Sequence, residues 1–144
     1  MIKKVTHIMH EGEADDAVVL GWFDMQKPHL SAVSDKGVEF ILKVSASHLH
    51  ANDLLVCEDG YRICVQKGKD EVIQMRFDDA ISFANIAYEI GNRHQPICIM
   101  PLTIMVLNDV ALHPLIESIK EKQGIHVQLI HDFFQPSGKA HHAH

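Results

Sequence analysis

Twelve of the 144 residues are histidine, an excess of the one side chain that titrates near neutral pH and ligates borderline divalent metals through a neutral ring nitrogen. His94 lies in the stretch YEIGNRHQPICIM, between Gly91, a residue of the kind that ends helices, and Pro96, which leads in an extended segment. It therefore falls on a short exposed corner, where the plain reading of a lone histidine is an interaction with the last carbonyls of the helix. His141, His142 and His144 close the chain as HHAH. His48 and His50 stand two apart in the loop-like stretch SASHLHAND, where a surface role is the plain reading. His126 and His131 have the odd separation that puts them on opposite faces of a strand, so they do not share one site. His131, close to the tail, is at most an auxiliary ligand.

These side chains must be held by a small molecule of balanced composition. With 47% apolar and 22% charged residues, 144 residues make one globular domain or two very small ones. A formal net charge of -6, with acidic residues in both halves and no basic run, argues against nucleic acid or an anionic membrane as partner. MIKKVTHIMHEGE has no apolar run behind its lysines, and nowhere do 18 apolar residues follow one another, so a cytoplasmic location is expected. Cys57, Cys64 and Cys98 form neither an even set nor a CxxC pair and read as reduced thiols.

The first half reads as short strands and turns. AVVLGWF (Ala17 to Phe23) is β-prone, Asp35-Lys36-Gly37 turns between two extended runs, and Asp59-Gly60 turns between two more. Tyr61, Ile63 and Val65 alternate with Arg62, Cys64 and Gln66, the pattern of a half-buried strand. Residues 1–69 are thus expected to form a small all-β domain, a sandwich or barrel, and Lys67-Gly68-Lys69-Asp70 marks its end.

From residue 70 to 134 the grammar changes. EVIQMRF is a strand, Asp78 or Asp79 caps a helix through AISFANIAYEI that Gly91 ends, and PICIM and TIMVL are two further strands. Pro114 opens a helix PLIESIKEKQ that Gly124 closes, and IHVQLIHDFF is the last strand. The order βαββαβ predicts a ferredoxin-like domain, with both helices on one face of a four-stranded sheet, so the fold class is α+β. Residues 135–144 carry no apolar periodicity and are expected to be a flexible histidine-containing tail. On the first helix Ile81, Ala84 and Tyr88 form one apolar stripe and Phe83, Ala87 and Ile90 another. That arc is wider than one sheet contact needs, and self-association is its expected use.

The run DDAISFANIAYEIGNRHQPICI, with Ala87 to Pro96 at its centre, resembles the signature of the urease accessory nickel metallochaperones, the UreE family. NDLLVCE followed by DGYRICV resembles that family's N-terminal β domain, and GKAHHAH its C-terminal metal-binding extension. The resemblance implies a peptide-binding-like first domain and a second domain that forms a homodimer. It also implies that His94 from each chain binds one Ni(II), carried as cargo to the complex of urease apoprotein with its accessory GTPase. The chain departs from the pattern at Leu107-Asn108-Asp109, where some members carry histidines, and its tail is short.

The chemistry agrees with that implication. One exposed imidazole forms no chelate, but a two-fold axis near His94 brings two, and His141, His142 and His144 could complete the shell as replaceable ligands. Zn(II) or Cu(II) would compete for the same donors. Binding needs neutral imidazole, so affinity should fall as pH drops through about 6.5. An enzyme reading, with Asn92 and Arg93 on a phosphoryl group and His94 as acid or base, meets Asp78-Asp79 where an anion cradle would need positive charge. The other alternative is a ferredoxin-like regulatory module that binds a small molecule or transition metals in general.

Overall fold

The computed structural model describes residues 1–43 and 48–138, and the chain divides into two compact units, Met1–Lys69 and Asp70–His144. The first unit contains β1 (Lys3–Met9), β2 (Asp16–Leu20), the one-turn helix α1 (Trp22–Met25), β3 (His29–Val33), β4 (Glu39–Lys43), β5 (Leu54–Cys57) and β6 (Arg62–Lys67). Both turns read from the sequence are hairpins, β3 with β4 and β5 with β6. Gly37 and Gly60 supply the positive φ, 87° and 88°, that these reversals need. Ile63 and Val65 are fully buried along β6 while Arg62 and Cys64 are half-buried, as the alternation requires.

Two features depart from the sequence reading. The strands join in a single open sheet of order β2-β6-β5-β1-β4-β3, with β1 parallel to β4 and β2 parallel to β6. It is therefore a mixed sheet, with parallel pairs that hairpin spacing does not suggest. The β-prone run from Ala17 also stops at Leu20, because Trp22 and Met25, one helical turn apart, both turn into the core.

A polar knot ties β2 to its neighbours. The buried Asp16 carboxylate accepts from the Ser34 hydroxyl, from Tyr61 Oη at 2.9 Å and from the backbone N–H of Ala17 at 2.7 Å and Lys36 at 3.2 Å. Burial alone would push its pKa up, but these donors outweigh it and hold the carboxyl below its ordinary range.

The second unit runs β7 (Asp70–Phe77), α2 (Ala80–Asn92), β8 (Cys98–Met100), β9 (Thr103–Leu107), a 3-10 turn, α3 (His113–Ile119) and β10 (Ile125–Asp132). Its four strands form an antiparallel sheet of order β10-β7-β9-β8. Ile73, Met75, Phe77, Ile104, Val106 and Ile125 cluster with Ile86 and Ile90 of α2 and with Leu115, Ile116 and Ile119 of α3. Asp79 caps α2, its carboxylate accepting from Ser82 N–H at 2.8 Å. Phe83 and Ala87 pack on the core, whereas Ile81 and Tyr88 stay 72% and 69% exposed and Ala84 is exposed beside them.

Both chain ends of α3 and β10 correct the sequence reading. Helix α3 stops at Ile119, its last buried residue, because Lys120 to Gln123 are all exposed and offer nothing to hold another turn. Gly124, at a φ of 86°, turns the chain into β10 instead of closing the helix. The tail is also held further than expected. Phe134 is fully buried, Pro136 is buried, and Ser137 N–H donates to Ile97 C=O at 2.7 Å while Ile99 N–H donates to Ser137 Oγ at 2.9 Å. Since β10 and β8 are opposite edges of the sheet, residues 133–137 form a strap from one edge to the other.

Candidate metal centre

His94 occupies a position that helices usually give to glycine. Helix α2 runs through Gly91 to Asn92, Arg93 caps it, and His94 takes a φ of 56°. His94 N–H donates to Gly91 C=O at 3.0 Å and Gln95 N–H to Ile90 C=O at 3.4 Å. This pair of bonds is the Schellman ending, with histidine in the left-handed place. The sequence reading had Gly91 there; Gly91 instead stays helical, and a Cβ added to it would meet nothing within 4 Å. Left-handed backbone costs a residue with a Cβ about 1 kcal/mol.

The helix end does not need the imidazole. Arg93 Nη1 donates at 2.8 Å to both the carbonyl and the carboxylate of Glu89, so the carbonyls of Glu89, Ile90 and Gly91 all have partners. The His94 ring is exposed and makes no hydrogen bond or ion pair among the described residues. The plain reading, a histidine that caps the last carbonyls, is therefore not what is seen.

The other histidines of this unit are engaged or apart. His126 Nε2 lies 3.0 Å from Asp78 Oδ1, His113 Nε2 lies 2.9 Å from Asn108 Oδ1, and His131 is exposed on β10 opposite Glu71. His141, His142 and His144 lie outside the described residues. Burial pushes the Cys98 thiol up, a hydrogen bond with Ser137 offsetting part of that, and burial likewise raises Cys57. Protonated thiols are poor metal ligands. Among the described residues no group of three or more His, Cys, Asp or Glu is placed to hold a metal, at His94 or elsewhere.

The first unit gathers histidines that spacing alone did not bring together. His10, just beyond β1, places Nδ1 2.9 Å from Asp53 Oδ1, and His50 Nδ1 stands 3.8 Å from Asp53 Oδ2. The rings of His48 and His50 have centroids 4.8 Å apart. The i, i+2 spacing of His48 and His50 was the only signal, and nothing local pointed to His10.

Comparison with known proteins places the chain. Residues 70–144 match the family model described as UreE urease accessory protein, C-terminal domain. A urease accessory protein UreE of Aliarcobacter butzleri (strain RM4018) is 47% identical over 144 residues, covering 100% of this chain and 97% of its own. One from Lysinibacillus sphaericus (strain C3-41) is 28% identical over 151 residues, covering 100% of this chain and 99% of its own. One from Bradyrhizobium sp. (strain ORS 278) is 30% identical over 136 residues, covering 91% of this chain but 63% of its own. The family model over the second unit and the full-length similarity to the Aliarcobacter protein agree: this chain belongs to the UreE family of urease accessory proteins.

Proposed function

We propose that the chain is a nickel metallochaperone in urease maturation, working as a homodimer in which His94 of each copy binds one Ni(II) at the two-fold axis. The second unit is taken as ferredoxin-like from its β-α-β-β-α-β order and its β10-β7-β9-β8 sheet. The observation that carries the reading is the His94 ring: exposed, unbonded, and held on a strained corner that the helix could have made with glycine.

The strap supports the role of the tail. Ser137 is bonded to Ile97, three residues after His94, and His141 follows Ser137 by four residues. At about 3.3–3.6 Å per residue, His141 can be no more than roughly 14 Å from that anchor. Chain length alone thus tethers His141, with His142 and His144 one and three residues further on, to the strand that His94 leads into, which raises their effective concentration there. Two His94 imidazoles and those of the tail make an open site from which urease apoprotein and its accessory GTPase can take the ion ligand by ligand. Zn(II) and Cu(II) compete for it. The molecule is a carrier in the cytoplasm and catalyses no reaction.

Calorimetric titration with Ni(II), with the mass measured in parallel, tests this. The wild type should bind its tightest ion at one per two chains, His94→Ala should lose that ion without unfolding, and deletion after Gly138 should weaken binding but leave the dimer. One tight ion per isolated monomer, or unchanged binding in His94→Ala, overturns it.

A further inference from the structure

The Asp53 side chain of the first unit is 7% exposed, and three imidazoles stand around it or beside it. The backbone fixes its position: Val65 N–H of β6 donates to Asp53 C=O at 2.8 Å, and Asp53 N–H to His50 C=O at 3.2 Å. His50 N–H donates to Oδ2 at 2.8 Å, and the ring Nδ1 of the same residue faces that oxygen from 3.8 Å. The buried carboxylate therefore fixes His50 through its backbone N–H, and the ring, 3.8 Å away and beyond hydrogen-bond distance, keeps its nitrogens for another partner. The His50 side chain is 63% exposed, so these nitrogens are within reach of solvent ions.

His48 supplies the second ring. Its centroid lies 4.8 Å from that of His50 with the planes at 55°, which is not a parallel stack. Two imidazoles on one ion, with metal–nitrogen bonds of about 2.0–2.1 Å at angles between square and tetrahedral, have centroids about 4.5–5 Å apart. The observed spacing falls within that range. His10 lies on the other carboxylate oxygen and adds no third donor to one coordination sphere among the described residues.

We propose that His48 and His50 form an open two-histidine site for a divalent first-row metal of the Ni(II), Cu(II) or Zn(II) class. Asp53 is the positioning carboxylate that holds the His50 backbone N–H, and water fills the remaining coordination positions. With two protein ligands the site is weak and exchanges its ion readily. It is one site per chain, and it does not rest on the role given to His94.

Zn(II) titration of the full-length protein, followed by ring 1H–15N correlations, tests the proposal. The ring nitrogens of His48 and His50 should shift together along one binding curve. His50→Gln, a change at an exposed side chain, should abolish the His48 shift while leaving the backbone spectrum folded. Asp53→Asn should weaken the same curve, because the His50 N–H loses its charged acceptor. Persistence of the His48 shift in His50→Gln, or separate curves for the two rings, overturns the site. Binding at His94 is read independently by repeating the titration on His94→Ala, in which the His48 and His50 curve should be unchanged.

Discussion

The backbone N–H of His94 donates to the carbonyl of Gly91 at 3.0 Å, and it does so from a φ of 56°. A glycine is three residues away and is spent inside the helix, while a histidine bears the conformation that suits glycine. Strain of this kind persists where the side chain itself is wanted at that point in space.

Stability and metal binding should therefore separate at this residue. His94→Gly should stabilise the fold by up to about 1 kcal/mol, a rise of roughly 2–4 °C in Tm, because the left-handed backbone no longer meets a Cβ. The same protein should lose its tightest Ni(II). His94→Ala keeps a Cβ in the strained region and should lose the metal without the gain. Thermal denaturation of both variants beside the wild type checks the pair.

The exposed stripe on α2 should govern the mass of the molecule. Ile81 and Tyr88 are 72% and 69% exposed, and Tyr88→Arg puts a charge in the middle of what we take to be the self-association surface. Sedimentation should show the mass halved, with helix content retained. An unchanged mass would move the interface elsewhere.

Asp16 should set part of the acid response. Its folded-state pKa is depressed by the Ser34, Ala17, Tyr61 and Lys36 donors in spite of burial, so it contributes stability in full above the ordinary carboxylate value of about 3.9. That contribution disappears as pH falls through the lower folded-state value. Asp16→Asn sets an amide donor against the donors around it and should cost about 2–3 kcal/mol at neutral pH. Urea denaturation from about pH 3 to 7 should show the wild-type and Asp16→Asn midpoints converging toward the acid end.

Local signals were legible where one residue type decides the backbone. Asp79 as a cap, Gly37 and Gly60 in hairpins, and the alternation at Ile63 and Val65 all depend on near neighbours. The parallel pairings of β1 with β4 and β2 with β6 depend on residues far apart in the chain, and no local pattern announces them. His94 stands out in the sequence through its motif, but its left-handed backbone does not, since Gly91 offers the easier ending. The Asp53 cluster is a tertiary product for the same reason: His10 reaches it from 43 residues away.

The bonds from Ser137 to Ile97 and Ile99 also decide where the chain can be cut. Strand β8 pairs with β9 on one side only, and Ser137 occupies polar groups on its open side. A truncation after Gly138 keeps that cover. One that ends at Gln135 bares the Ile97 carbonyl and the Ile99 N–H next to the side chains of Ile99 and Met100, both already exposed. An uncovered apolar edge is a template for a strand from another molecule. The shorter protein should form large assemblies that light scattering detects even without metal, while the longer one stays clear. Loss of urease maturation in a deep truncation would then report self-assembly through β8 as much as missing ligands.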